Sequence, residues 1–155
     1  MRWRVGSIIA LVFGSRLRRM IATALRFGAR GGLRDDQLRL HRISGQLHVE
    51  WAARAIHPWD RGLPSQRQDE LFCDQTIRDT DVAIARLFDR LPEIEAIVVR
   101  VVEPHPAGRI ILAGTVQRSD MMAIDLPPSP RMRLKLLGVR YNISGSRLEP
   151  LNETG

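Results

Sequence analysis

Lysine, cysteine and aromatic side chains are scarce in this chain of 155 residues, and each shortage excludes a class of site. With Lys135 as the only lysine, a nuclease site made of two carboxylates and a lysine is hard to assemble. Cys73, the only cysteine, cannot form an intrachain disulfide or a cysteine-rich zinc site, and this usage is typical of a reducing compartment. Aromatic residues make up 5% of the chain and do not interleave with a basic stripe, so an RNA-stacking sheet is unsupported.

Short catalytic motifs are missing as well. The sequence contains no phosphate-binding glycine loop, no Gly-x-Ser-x-Gly, no His-Glu-x-x-His and no EF-hand pattern. We therefore predict no catalytic residues, no metal ligands and no cofactor, and we favour a non-enzymatic protein. The expected location is cytoplasmic and membrane-peripheral.

Acidic residues are absent from residues 1–34, where eight arginines carry a charge of +8. The rest of the chain holds 16 basic and 17 acidic side chains, so it is close to neutral although the whole chain carries +7. The overall composition, 44% hydrophobic and 26% charged, is that of a globular protein. We predict a basic amphipathic segment over 1–34 and a single domain over 35–155.

The basic segment has two parts. Residues 5–13 are largely apolar, but a membrane-spanning helix needs about 20 such residues, so a simple transmembrane helix is not expected. Residues 15–30 show helical periodicity, with Leu17, Met20, Ile21, Ala24 and Gly28 on one face and Arg16, Arg19, Arg26 and Arg30 opposite. This pattern predicts a helix in a membrane interface, with arginines toward anionic head groups.

The main functional hypothesis is an accessory or interaction domain that docks peripherally on an anionic membrane or a larger assembly. The expected docking residues are Arg16, Leu17, Arg18, Arg19, Met20, Ile21, Leu25, Arg26 and Arg30. Three alternatives stay open: the helix packs on the body or a partner protein, the segment is a targeting peptide, or its arginines bind nucleic acid. Under the main hypothesis, a chain lacking residues 1–34 stays folded.

The remaining sequence predicts an α+β fold, with one long helix packed on one face of an antiparallel or mixed sheet. The expected strands are 38–43, 46–56, 96–102, 109–117, 139–143 and 147–151. The long helix spans about 65–91 with a capping box formed by Ser65 and Gln68, and a short helix spans 131–137. Residues 121–130 are expected to form a loop or a short helical turn. Gly114 is expected to mark a β-bulge or a site of close packing against the strand.

The long helix has one apolar face, which is expected to bury Cys73 with its other nonpolar residues, while Asp81 lies on the solvated side. This position favours core packing of Cys73 over a role as a nucleophile.

One ligand patch is predicted from polar residues of the first long strand and the loop after it. His48 and Glu50 share the wet face of that strand, whereas His57, Trp59, Asp60 and Arg61 stand in the loop. A small acidic ligand or a phosphate could bind there, which gives a third functional hypothesis of a ligand binder or enzyme. The alternatives are a solvated strand face and a loop in which Trp59 covers the edge of the core while His57 or Asp60 holds the turn.

Overall fold

The computed structural model describes residues 8–27, 37–125 and 129–152, except for the side chains of residues 8–14. The elements, in chain order, are α1 (Ile8–Ala24), β1 (Leu38–Ile43), β2 (Gln46–Ala52), a 3₁₀ helix (Pro58–Gly62), α2 (Ser65–Arg90), β3 (Ala96–Val102), β4 (Ile110–Gln117), α3 (Arg118–Ala123), α4 (Pro130–Leu136), β5 (Asn142–Ser144) and β6 (Arg147–Glu149). The predicted α+β class, with a long helix packed on a sheet, is confirmed.

The main sheet has four strands in the order β1-β2-β3-β4. Its outer pairs, β1–β2 and β3–β4, are antiparallel, whereas the central pair β2–β3 is parallel. Parallel neighbours cannot be joined by a tight turn, and here the long helix α2 makes the crossover between them. The sheet is therefore mixed, which is one of the two alternatives predicted from the sequence.

One face of this sheet carries the core. Leu47, Val49 and Trp51 of β2 are buried beside their register partners on β3, and all belong to one apolar cluster with the inner side of α2. His48 and Glu50 lie at the intervening positions, because successive side chains of a strand point to opposite faces. The predicted alternation is confirmed, although β2 ends at Ala52 rather than at residue 56.

The start of α2 differs from the predicted capping box. The helix begins at Ser65 with Pro64 as its N-cap, and no side chain caps it. The backbone N–H of Gln68 donates to the Pro64 carbonyl at 3.0 Å, so the first helical hydrogen bond starts one residue earlier than predicted. The Gln68 amide instead donates to the carbonyls of Arg61 and Leu63, at 2.9 and 2.7 Å, and ties the preceding loop to the helix.

The second correction on α2 concerns its polar residues. Asp81, predicted on the solvated side, is 6% exposed, because α4 packs against α2 and covers it. Arg133 of α4 lies 3.4 Å from one Asp81 oxygen, while the other oxygen, Oδ1, has no hydrogen-bond partner among the described residues. Periodicity could not show this, because a second helix covers a side of α2 that the sheet does not.

We predict that Asp81→Asn stabilises the protein at neutral pH. Burial raises the pKa of the Asp81 carboxyl above its ordinary value, and Arg133 offsets only part of that effect. A carboxyl whose pKa is higher in the folded state costs folding free energy when ionised, and the cost disappears as pH falls through that pKa. The advantage of the variant should therefore shrink toward acidic pH, as measured by urea unfolding over a pH series. The exposed Asp89→Asn is the control on the same helix, and an equal effect in both variants would contradict this account.

The C-terminal elements complete the fold beside β4. The predicted α4 is confirmed: the Ser129 hydroxyl caps it by accepting from the Met132 N–H at 3.2 Å. The predicted final hairpin is also confirmed, as β5 and β6. The short helical turn that was one of the two alternatives for 121–130 is present as the end of α3, which begins earlier, at Arg118 directly after β4, and ends at Ala123. Residues 126–128 of this range lie outside the described residues.

Candidate functional site

The helix α1 differs in extent from the predicted amphipathic helix over 15–30. It runs from Ile8 to Ala24 and thus includes much of the apolar stretch that precedes the arginines. Arginine is a good helix former, so the cluster at 16–19 does not interrupt the helix. At the other end, the Thr23 hydroxyl donates to the Arg19 carbonyl at 2.8 Å and Arg26 N–H bonds back to Thr23, which closes the last turn. The helix thus ends at Ala24 and not at residue 30 as predicted.

The inner side of α1 is packed on the body. Ile21, Ala24 and Leu25 are buried in the same apolar cluster as the sheet and α2, and Leu17 is partly buried against that cluster. The alternative that the helix packs on the body is therefore confirmed for these residues. Ile21 and Leu25, two of the predicted docking residues, face the core and are not available at the surface.

Hydrogen bonds from arginines hold the same helix. The Arg86 guanidinium of α2 donates to the carbonyls of Ala24 and Arg26, at 3.3 and 2.9 Å. These carbonyls lie at the C-terminal end of α1, where backbone acceptors lack helical partners and the helix dipole favours a cation. Arg18 donates from α1 to the Leu38 carbonyl at the start of β1, at 2.9 Å. The end of α1 is thus fixed to both the helix and the sheet of the body.

The outward side of α1 and of the turn that follows it is mainly basic. Arg16, Arg19 and Arg26 are exposed, and Met20 is 37% exposed between them. Arg18 is half-buried because of its contact with β1. Arg30, the last of the predicted docking residues, lies outside the described residues.

His48 and Glu50, the strand half of the predicted ligand patch, lie on the open face of the sheet. His48 is the register partner of His41 on β1, and the two rings meet edge to face with centroids 6.1 Å apart. The His48 Nε2 atom lies 3.1 Å from the Gln46 side-chain oxygen. Glu50 stands between Arg39 on β1 and Arg100 on β3, at 3.8 and 3.9 Å. His48 and Glu50 thus lie on one polar face as predicted, and their partners come from both neighbouring strands.

A groove of about 620 Å³ runs along this face at the β1 side. Its lining consists of Arg18, Leu38, Arg39, Leu40, His41, His48, Val49, Glu50, Val98 and Arg100. None of the four loop residues of the predicted patch lines this groove. The structure therefore brings His48 and Glu50 together with His41, Arg39 and Arg100, and not with the loop.

The loop residues form a local turn instead. The His57 Nδ1 accepts from the Trp59 N–H at 3.2 Å, and the two rings pack edge to face at 4.7 Å. His57 is the N-cap of the 3₁₀ helix, which confirms that it holds the turn. The interpretation that Trp59 covers the core edge is wrong, because the ring is 87% exposed. Asp60 and Arg61 belong to the same 3₁₀ helix, which buries none of its residues.

Of the residues that line the groove, sequence patterns had indicated only His48 and Glu50 as candidate ligand-binding residues. Leu38–Ile43 alternates in the same way as β2, and a two-residue turn at Ser44–Gly45 fixes the register. That register alone places Arg39 opposite Glu50 and His41 opposite His48. The position of Arg100 needed the parallel pairing of β2 with β3, which no local pattern specifies.

Cys73 is buried on the inner side of α2, as predicted for core packing. Burial raises the pKa of its thiol, although the neighbouring Arg131, whose guanidinium is 3.7 Å from Sγ, acts in the opposite direction. A raised pKa disfavours the thiolate that a nucleophile or a metal ligand needs. Arg131 itself bonds Asp74 at 2.6 Å and links α4 to α2.

Within the described ranges, no group of three or more His, Cys, Asp and Glu side chains is placed to hold a metal ion. Nor is any helix in that part of the chain both long and apolar enough to cross a bilayer. No protein-family model, curated protein or solved structure matches this chain.

Proposed function

We propose that this protein is a non-enzymatic accessory domain that docks peripherally on an anionic membrane through the outward side of α1. The observation that supports this proposal is the position of Arg16, Arg19 and Arg26. All three are exposed on a segment whose opposite side is buried in the body. A segment anchored in this way presents its charges without the loss of conformational entropy that ordering a free tail would cost.

Electrostatic attraction supplies one part of the docking energy. Each arginine near an anionic surface contributes about 1 kcal/mol, and no acidic residue within 1–34 opposes them. The body behind the segment is nearly neutral and adds no comparable attraction. Binding should therefore weaken as salt screens the arginines.

The apolar part of the docking surface is proposed to differ from the one expected from periodicity. Ile21 and Leu25 are occupied in the core, so residues 8–13 and Met20 take their place in the proposal. The sequence of residues 8–13 is uncharged and apolar and forms the first turns of α1. Insertion of such side chains at the boundary between head groups and acyl chains is the usual complement to basic residues.

The first test is cosedimentation of the full chain with phosphatidylglycerol-containing vesicles and with pure phosphatidylcholine vesicles. We expect binding to the anionic vesicles only, and a loss of about tenfold or more in Arg16→Gln/Arg19→Gln, since two arginines near the surface contribute about 2 kcal/mol. The matched control is Arg90→Gln/Arg147→Gln, which removes the same charge from exposed positions of the body. Equal losses in the two variants, or no binding by the intact protein, would contradict the proposal.

A second variant separates membrane docking from nucleic-acid binding by the same arginines. Ile9→Gln/Phe13→Gln keeps every charge. It should abolish vesicle binding, whereas binding to a phosphate backbone would persist because it depends on charge. Substitution of Ile21 or Leu25 would not make this distinction, because it would damage the core. Retained vesicle binding in Ile9→Gln/Phe13→Gln would overturn the apolar part of the proposal.

A further inference from the structure

The two outer strands of the main sheet are covered to different degrees. Segments from the C-terminal part of the chain bond the outer backbone groups of β4, at Ala113 and at Ile110. Along β1, the described residues supply one bond of this kind, from Arg18 to the Leu38 carbonyl at 2.9 Å. β1 contains no proline, and its pairing with β2 runs without a register shift. An outer strand without such interruptions is a template for another strand.

The pairing of β2 shows which backbone groups of β1 point away from the sheet. The Ala53 N–H, just after β2, donates to the Val102 carbonyl of β3. Backbone groups of successive strand residues point to opposite edges, so the odd-numbered residues of β2 bond β3 and the even-numbered ones bond β1. The β1 partners of these even-numbered residues are positions 39, 41 and 43. Positions 38, 40 and 42 therefore direct their N–H and C=O groups outward.

The bond from Arg18 agrees with this assignment, because it reaches the carbonyl of Leu38, one of the outward positions. The same bond occupies the start of the edge and leaves Leu40 and Arg42. No described residue forms a hydrogen bond with the outward N–H and C=O groups of these two residues. The edge is thus open over residues 40–42 with respect to the described part of the chain.

The charges that usually protect an outer strand have partners within the same chain. Arg42 lies 3.4 Å from Glu93, and Arg39 lies 3.8 Å from Glu50. These carboxylates lower the positive potential at the edge, so β1 repels a second strand less than its two arginines alone would suggest. Ile43, at the end of the strand, is 52% exposed.

We propose that β1 pairs in antiparallel orientation with β1 of a second copy, which joins the two four-stranded sheets into one continuous sheet. The twofold axis passes at His41, so that Leu40 of each copy bonds Arg42 of the other through both of its backbone groups. A symmetric pair of this kind needs outward groups on both chains, and residues 40 and 42 meet this condition. The inference does not depend on the membrane proposal, because it concerns the sheet edge and can be tested without lipid.

The side chains favour this centre over its neighbours. It places each arginine opposite an apolar residue, Arg39 opposite Ile43 and Arg42 opposite Leu40. Leu40 is partly buried on the core face, and the aliphatic stem of the facing arginine would extend its cover. A centre at residue 40 would need the Leu38 carbonyl, which is already bonded. A centre at residue 42 would place arginine opposite arginine, and like charges directly opposite destabilise a strand pair.

The expected dimer is weak. Pairing over residues 39–43 of each copy buries less than the roughly 1,600 Å² of a standard stable interface. We therefore expect dissociation in the micromolar to millimolar range.

The first test is sedimentation equilibrium of the full chain from micromolar to millimolar concentration, with amide exchange measured by NMR at both ends of this range. We expect a monomer–dimer equilibrium and slower exchange of the Leu40 and Arg42 amides at the higher concentration. The amides of Arg39, His41 and Ile43 are the internal control, because bonds to β2 protect them at every concentration. A monomer throughout, or a dimer without added protection at Leu40 and Arg42, would overturn the proposal.

Arg42→Pro removes an outward N–H from each copy without removing a backbone bond of the monomer. Proline is tolerated on an outer strand where its nitrogen faces solvent. The symmetric pair loses half of its interchain hydrogen bonds, so we expect the dimer to weaken by about tenfold or more. Arg42→Ala is the matched control, because it removes the same side chain and the ion pair with Glu93 but keeps the N–H. Equal weakening in the two variants would contradict pairing through the backbone.

Charge at residue 41 tests the twofold axis without a change of the backbone, and it is decisive if proline disturbs the fold. In the proposed pair each His41 faces its own copy, so any ionised side chain placed there repels itself. His41→Glu and His41→Lys should therefore both weaken the dimer severalfold. An asymmetric contact of β1 with another part of the second copy would respond to the two substitutions with opposite signs. Opposite effects, or no effect of either substitution, would overturn the symmetric pairing.

Discussion

A chain that lacks residues 1–34 should be severely destabilised, and a chain that lacks only residues 1–13 should not. The longer deletion removes Ile21 and Leu25, which are almost completely buried in the core. Full burial of such side chains contributes about 1.5–3 kcal/mol each, so about 3–6 kcal/mol is lost from a total stability of about 5–15 kcal/mol. The exposed apolar surface of the sheet and α2 would also favour aggregation.

The comparison between the two deletions gives this prediction its control. Removal of residues 1–13 leaves the buried Ile21, Ala24 and Leu25 in place, together with the bonds from Arg18 to Leu38 and from Arg86 to Ala24. Urea unfolding should therefore give similar midpoints for the shorter deletion and the full chain. The midpoint should be much lower, or the transition absent, for the longer deletion. Equal stability of both deletions would show that α1 is not part of the core in solution.

This expectation reverses the one drawn from charge alone. The uneven charge suggested that the leading segment and the body have separate duties, and the division near residue 34 stays a prediction. The distribution of charge along the chain, however, does not show which side chains pack in the core. The same periodicity that predicted a membrane face, with Leu17 and Ile21 on one side, also fits a face buried against protein, and only tertiary contacts distinguish the two. Vesicle binding can therefore be measured cleanly only in variants that spare Ile21 and Leu25.

Local patterns were sufficient for most of the body. Alternation in β1 and β2, the β-branched run of β3 and the apolar face of α2 predicted elements that the structure confirms within a few residues. Burial of one sheet face explains this success, because it imposes a period of two that is visible in sequence. The misplaced Asp81 arises where a second helix, α4, adds contacts that no single period describes.

The candidate groove was only partly predictable, because it too depends on contacts between elements that are distant in sequence. Two of its residues, His48 and Glu50, followed from alternation within β2. The assumption that function concentrates in loops then joined them to the His57–Arg61 loop, which the structure places outside the groove. Arg39 and Arg100 join Glu50 through pairing with both neighbouring strands. A site formed across strands depends on sheet order, and this order includes the non-local crossover through α2.

Gly114→Ala should have a large effect on stability that composition would not suggest. A Cβ at this position would lie 2.5 Å from the Gly138 carbonyl oxygen and 2.8 Å from the Val139 Cα. Both are backbone atoms, so no side-chain rotation can relieve the overlap. Residues 138–140 are also held against β4, because the backbones of Ala113 and Arg140 form two hydrogen bonds, at 3.1 and 2.7 Å. Relief of the overlap therefore requires these bonds to stretch or the strand to move.

We expect Gly114→Ala to lower the free energy of unfolding by about 3 kcal/mol, at the upper end of the cost of overpacking. Gly62→Ala is the matched control, because a Cβ there meets nothing within 4 Å. That control should change stability by no more than about 0.5 kcal/mol, as an exposed substitution usually does. Urea denaturation of both variants measures the difference. If the two midpoints coincide, the close approach of Gly138 to β4 does not exist in solution, and the position of α4 over Asp81 would lose its support as well.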